Sequence, residues 1–542
     1  MATGKRRFGW MKTVLKVAVR LGVRVVPLGL CLVTKYWMDV NEWAAIGITA
    51  AWVLAVEIAE RLLGSVEKPV KAGKAGEDGK AGRGGKAEKA GEDGKAGRAG
   101  KAGRIFGGIV SALVLCAMVW KTEFDPGWNT CYYRDGVWDK DSGNAVVSRE
   151  EAMEDLDYVI KYLKKIHPLT LHGLPEEMAA KEKEVREWIK GQEEMEGYVL
   201  ARELESIAAL LGDGHTHVEE NYPEYHLMKH IYEHNKRGDT MVGINGERFE
   251  EFLKNHPGLC SYELEAYGVR LLKNRIVSLE GLKYLGIDVT GDITYNYVSE
   301  KGEEVTETVR AEDFLPMEEY LAYEEGVTGD DLRGGEDRGF VYYDVDEELS
   351  LAVLTLTDCN YNKTYRETVR KFFDEVAERN LKTVAVDLRN NSGGSSMVAN
   401  EFISYLAVDS YKSWGDEVRL NPLLIKRAGT VSKNWRKGAG FSGKVYVLTG
   451  VRSYSSAMDF AMLIQDNGIG KLIGEPCGNL PASYGDVKRF QLPNSGLVMQ
   501  VSMKRWHRVD ETKEELPLIP DVECPEEDAM EVLRDQALEN RE

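Results

Sequence analysis

Cysteine is scarce, with seven in 542 residues. Two of them, Cys31 and Cys116, sit inside apolar runs. The other five (Cys131, Cys260, Cys359, Cys477 and Cys524) are widely spaced and odd in number. Neither a metal-ligand spacing nor a dense disulfide framework can be built from them, and at least one thiol stays unpaired. Excess basic charge is missing from most of the chain. Residues 1–121 hold 21 Lys/Arg against 10 Asp/Glu, which leaves 49 against 79 for residues 122–542, a net of −30. A body that acidic repels nucleic acid and anionic membrane surfaces, so a nucleic-acid partner is excluded. No small-residue cleavage site follows the first apolar run, which argues against a removed signal peptide. Proline is absent from the one internal repeat, in which "KAGEDGKAGRGGKAE" (74–88) recurs as "KAGEDGKAGRAGKAG" (89–103). Glycine falls at every third position there except Glu88, but a short, proline-free tract cannot hold a collagen triple helix. It reads as a flexible Lys/Gly-rich linker over 65–104.

What the chain does have begins with apolar segments. "WAAIGITAAWVLAVEIAERLL" (43–63) is long enough to cross a bilayer, and "IFGGIVSALVLCAMVW" (105–120) is nearly so, with Arg104 and Lys121 able to snorkel. "VRVVPLGLCLVT" (23–34), interrupted by Arg24 and Pro27, is either a third span or an interfacial helix. The positive-inside rule favours three spans, with the basic start and the 65–104 linker cytoplasmic and residues 122–542 outside. Further on, "SREEAMEDLDYVIKYLKKIHP" has apolar residues at helical spacing behind an N-cap at Ser148. A second helix, in "EMEGYVLARELESIAALLGDGHTHVE", ends at Gly212. Residues 238–310 look strand-rich. From 348 onward short apolar strands alternate with helices, which predicts an α/β core.

Two stretches carry candidate chemistry. In "TVAVDLRNNSGGSS" a buried strand (383–387) runs into Gly393-Gly394, where backbone N–H groups can approach a ligand closely. In "KVYVLTGVRSYSSAMDFAMLIQDNGIG" a strand hands over to a helix through Ser453, Ser455 and Ser456. A hydroxyl at Ser455 would stand at a helix N-terminus, where free N–H groups favour developing negative charge; serine there is also a preferred N-cap. His226, His230 and His234 share one face if the segment is helical, a metal-compatible spacing that no carboxylate or thiol pattern completes, and a surface face is the plainer expectation.

Taken together, "VAVDLRNNSGG" (383–394), the serine-rich elbow with its "QDNG", and "FQLPNSGLVMQVSMKRWHRVDETKEELPLIPD" (490–521) resemble the tail-specific, or C-terminal processing, peptidases of family S41. The resemblance spans about 150 to 525. It implies an α/β, crotonase-like catalytic core (336–542) behind a helical region (122–236) and a small PDZ-like module (237–335), with residues 1–121 as an anchor outside it. "GDTMVGINGERFEEFLKN" (238–255) is similar to the end of a PDZ module, although the usual carboxylate-binding loop is missing. The resemblance implies Ser455 as nucleophile, with the amides of Gly393 or Gly394 and of Ser456 as the oxyanion site. The lysine of the family's Ser-Lys branch is replaced by Leu480, and neither Lys471 nor Lys488 matches it. "DGHT" (213–216) is similar to the turn that supplies a histidine base in the tricorn-like branch, which gives His215, with His217 as competitor. The matching acid is Glu514, crowded by Asp510, Glu511 and Glu515. The expected protein is a multi-pass, membrane-anchored serine endopeptidase, cofactor- and metal-free, cleaving peptides outside the cytoplasm through a Ser-His-Glu acyl-enzyme. The alternative is an inactive member of the same fold that binds extended peptides or apolar ligands.

Overall fold

In the computed structural model, residues 140–540 are described apart from 232–233, 235–236, 329–337, 421 and 439, along with isolated helical positions within 51–55 and 109–116. The apolar segment 23–34 and the 65–104 linker lie outside the described residues, as do nearly all of 43–63 and 105–120. No helix among the described residues is long and apolar enough to cross a membrane.

The body, residues 136–542, is one compact unit. It opens with helix α1 (Arg149–Ile166), started by a capping box in which Ser148 and Glu151 satisfy each other's backbone N–H groups. Helices α2 (Glu176–Lys190) and α3 (Gly197–Ala208) follow. A single 3₁₀ turn then stops at Gly212, whose φ of 58° is left-handed and ends the helix. The short strand β1 (His217–Glu219) comes next. Strands β2 (Thr240–Ile244) and β3 (Glu247–Arg248) lead into helices α4 (Phe249–Asn255), α5 (Glu265–Ile276) and α6 (Leu279–Tyr284). Strands β4 (Ile293–Val298) and β5 (Glu304–Val309) complete an antiparallel sheet of order β3-β2-β4-β5. Residues 336–542 hold two buried clusters of their own, while a third crosses the boundaries expected near 236 and 335. Leu156 of α1, Leu204 of α3, Tyr295 of β4 and Met499, far along the chain, belong to one buried apolar cluster.

The α/β core contains β6 (Val341–Asp346), β7 (Leu351–Leu356), α7 (Lys363–Glu378), β8 (Thr383–Asp387) and α8 (Met397–Ile403). After the hairpin β9 (Asp416–Leu420) and β10 (Leu423–Arg427) come β11 (Lys444–Thr449), α9 (Ser456–Asp466) and β12 (Lys471–Gly474). Strands β13 (Tyr484–Gln491), β14 (Val498–Trp506) and β15 (Val522–Glu523) and helix α10 (Ala529–Glu539) end the chain. One sheet has the order β6-β7-β8-β11-β12-β15, parallel from β7 onward. Alternate residues feed its two faces: Val384, Val386 and Val447 pack with α7–α9, while Ala385, Tyr446 and Leu448 pack with α10. Burial on both faces explains why these strands read as unbroken apolar runs. The second sheet runs β10-β9-β14-β13, and β1 also pairs with β14, so an N-terminal strand joins the C-terminal sheet.

Candidate active site

Strands β8 and β11 are parallel neighbours, and the loops leaving their carboxyl ends form the centre of the site. Ligand sites in open α/β sheets form at that edge. The β8 loop is folded around Asn391, which is fully buried. Its Nδ2 donates to the Leu356 carbonyl (2.8 Å), its Oδ1 accepts the Gly393 N–H (2.8 Å), and its backbone carbonyl accepts the Tyr454 N–H (3.0 Å). Gly393 and Gly394 have φ of 107° and 134°, left-handed values that L side chains rarely adopt. Closeness adds to the demand for glycine: a Cβ on Gly393 would lie 2.7 Å from Ser455 Cβ and 3.1 Å from Ser456 N.

The three serines now separate by role. Ser453 is buried and structural; its hydroxyl donates to the Leu388 carbonyl (2.8 Å) and accepts the Gly450 N–H (3.1 Å). The Ser456 hydroxyl donates to the Gly394 carbonyl (2.9 Å) and so ties the helix to the glycine loop. Ser455 is half-buried, and its hydroxyl has no hydrogen-bond partner among the described residues. Its backbone, at φ 54° and ψ −124°, is strained for a residue with a side chain. The Asn479 Oδ1 accepting the Ser455 N–H (2.8 Å) and the Asn391 bond to Tyr454 hold it there. Ser455 does not cap the helix with its side chain. Of the proposed oxyanion donors, the Gly393 N–H is already given to Asn391. The N–H groups of Gly394 and Ser456 have no acceptor among the described residues.

His215 arrives from the turn between α3 and β1. Asp213 is fully buried and organises that turn. Its Oδ1 accepts the His215 N–H (2.9 Å), and its Oδ2 accepts the Thr216 hydroxyl (2.5 Å) and meets His167 Nε2 (3.2 Å). Strand β14 holds the turn from the other side, with Gln500 Nε2 donating to the His215 carbonyl (2.8 Å) and the Ser502 N–H to Thr216 Oγ1 (3.0 Å). The His215 ring lies 4.8 Å from that of Tyr454, the residue before the nucleophile candidate. Its Nδ1 is 3.5 Å from the Tyr454 hydroxyl and 3.8 Å from Asp213 Oδ1. With acceptors gathered at Nδ1, that nitrogen keeps its hydrogen and Nε2 keeps the lone pair. Burial pushes the His215 pKa below its ordinary 6.5, with Asp213 opposing the shift, so the ring is neutral at neutral pH. For Asp213 itself, burial works to raise the carboxyl, but His167 and the turn's hydrogen bonds hold it well below the ordinary value.

Glu514 does not meet His215. Its Oε1 accepts from His507 Nδ1 (2.6 Å) and its Oε2 from the Arg508 N–H (2.9 Å), so its own loop absorbs it. The competitor His217 is likewise engaged, by Glu219 (2.6 Å) and the Gly214 carbonyl (3.2 Å). The carboxylate that does approach the base, besides Asp213, is Glu263. Its Oε2 accepts from the Tyr454 hydroxyl (3.3 Å), while its Oε1 is buried without a partner. Burial, with the Asp213 charge adding, pushes its pKa up to about 8. Gly214 makes this approach possible, since a Cβ there would come 2.3 Å from the Tyr454 hydroxyl and 3.3 Å from Glu263 Oε2. Tyr267 of α5 stacks on Tyr454 from the other side, 4.3 Å between centroids. Sequence reasoning missed Glu263, Tyr454, Asn391 and Asn479, because a lone residue meeting its partner across the fold leaves no local pattern. The three-histidine helix face is not formed either. His226 lies in a strand (His226–Met228) and bonds Glu280 (2.8 Å), and His234 is buried between Asp239 and Glu307.

A serine hydroxyl without a partner among the described residues, on a strained strand-to-helix turn with two unpartnered backbone N–H groups, is the arrangement an acyl-transfer nucleophile needs, and the imidazole of His215 packs on the adjoining Tyr454. Residues 350–524 match the model of peptidase family S41, a family of serine peptidases. Among solved structures, a mutant of CPAF is 12% identical with a TM-score of 0.52, covering 72% of this chain and 96% of that one, and shares the fold. The photosystem II D1 C-terminal processing protease (12% identity, TM-score 0.38, 70% and 93% covered) also matches. So does the tricorn protease (14% identity, TM-score 0.32), over 72% of this chain and 37% of its own. No curated relative matches the chain.

Proposed function

We propose that this chain is a serine endopeptidase anchored to a membrane by residues 1–121, with its body outside the cytoplasm. The single observation that carries the catalytic reading is Ser455, the one serine of its trio whose hydroxyl is unbonded, on a strained turn whose preceding residue packs on His215. Ser455 Oγ attacks the scissile carbonyl carbon while His215 Nε2 takes its proton. The N–H groups of Gly394 and Ser456 receive the oxyanion, and ionised Asp213, behind Nδ1, stabilises the imidazolium. Collapse expels the amine, which leaves with the proton from His215. Water, deprotonated by the same nitrogen, then hydrolyses the acyl-enzyme. The unpartnered amides suit charge that exists only in the transition state, which is where binding accelerates a reaction. Anchoring is supported by the apolar runs at 43–63 and 105–120 and the Lys/Gly linker between them. The test is covalent labelling with a fluorophosphonate. The parent labels, and Ser455→Ala and His215→Ala abolish it; a folded parent that stays unlabelled returns the chain to the inactive, peptide-binding reading.

A further inference from the structure

Asp213, His215 and Glu263 each present one donor atom, and the three lie within 4.8 Å of one another. We propose that they form a divalent transition-metal site, best suited to Zn²⁺, which switches off the base when filled. Two observations meet here. His215 Nδ1 and Asp213 Oδ1 are 3.8 Å apart, near the spacing of about 3.4 Å between neighbouring ligands of a tetrahedral Zn²⁺. Independently, Glu263 Oε1 is buried with no hydrogen-bond partner, and a carboxylate oxygen of the same side chain is within 4.8 Å of the other two donors. A buried orphan oxygen is costly, and a cation between it and the imidazole would satisfy it. One imidazole and two carboxylates suit Zn²⁺, whereas Mg²⁺ and Ca²⁺ favour all-oxygen sets. The three arrive from two segments, Asp213 and His215 from the turn before β1 and Glu263 from the segment before α5.

The chemistry of the lock follows from the ring. Metal on Nδ1 displaces the hydrogen from that nitrogen, and a neutral imidazole must then carry its hydrogen on Nε2. An Nε2–H cannot accept the Ser455 proton, so the nucleophile stays a neutral alcohol. No bond to substrate is involved, and removing the metal restores the lone pair. The inhibitory consequence rests on the catalytic reading above, but the site itself does not.

The experiment uses the full-length chain, stripped with chelator and titrated with Zn²⁺ by calorimetry, with Co²⁺ absorption as a second readout. One equivalent should bind. Ser455→Ala should keep it, and Glu263→Gln and His215→Ala should each weaken it by at least about tenfold. Glu263→Gln preserves shape, and an unchanged melting temperature in that variant separates loss of a ligand from loss of fold. Absence of saturable binding to the parent, or equal binding by Glu263→Gln, overturns the site. Because calorimetry needs no turnover, it decides the site even if the parent never reacts with a fluorophosphonate. In a parent that does react, Zn²⁺ should slow labelling of Ser455 and chelator should restore it; labelling indifferent to bound Zn²⁺ overturns the lock.

Discussion

At the scale of single residues, the burial that lowers the His215 pKa has a kinetic signature. The acid limb of kcat/KM should have its midpoint below 6.5, because the free base is available until the imidazole protonates. A pH–rate profile with that limb well above 6.5 would contradict the assignment of the base. Gly214 is a second point of leverage. Gly214→Ala drives a methyl into the Tyr454 hydroxyl, so about 1–3 kcal/mol of stability should be lost in urea denaturation, with fluorophosphonate labelling falling as His215 shifts. Some of this was legible beforehand. Ser455, His215 and the Gly-Gly loop occur in patterns whose spacing is local. Glu514 misled because an acidic loop offers four carboxylates and the sequence does not say which faces which neighbour; in the fold His507 takes it. Nor could the sequence tell Gly393 from Gly394 as oxyanion donor, since that turns on where the Asn391 side chain points.

Between elements, a buried arginine ties the helical region to the second sheet. Arg419 of β9 is 3% exposed, and its guanidinium donates to the carbonyls of His167 (2.6 Å) and Lys164 (2.5 Å) at the C-terminal end of α1. A cation there complements unpaired carbonyls and the negative end of the helix dipole. The same His167 holds Asp213 through Nε2, so the arginine supports the turn that carries the base. Arg419→Met should cost about 3 kcal/mol in equilibrium unfolding, because it strands buried carbonyls, and Arg419→Lys should cost less. Elements were the most legible scale. The strand 383–387 and the helix after Ser148 follow from apolar periodicity and capping, which are local. The pairing of β1 with β14 joins segments from opposite ends of the body, and no periodicity encodes it.

For the molecule as a whole, opposed sets of buried carboxyls set the response to pH. Burial pushes Glu205 and Asp459 up to about 7. The folded chain keeps their protons while the unfolded chain releases them near pH 4, so their contribution is complete below that range and is lost as pH rises through 7. Asp213, held low, works the other way and loses its contribution as pH falls below the ordinary carboxylate range. Melting temperature should therefore peak at about pH 4 and decline as pH rises to about 7, and Asp459→Asn should flatten the decline. A profile rising steadily from 5 to 8 would refute this.

Synthesis order follows from the β1–β14 pairing and from the contact of Tyr454 with His215 across 239 residues. A ribosome delivers the elbow at 450–456 while the strand at 498–506 is still inside the exit tunnel. Until that strand emerges, the histidine turn lacks the bonds from Gln500 and Ser502. The order of translation thus leaves the surroundings of His215 incomplete until the chain is almost finished.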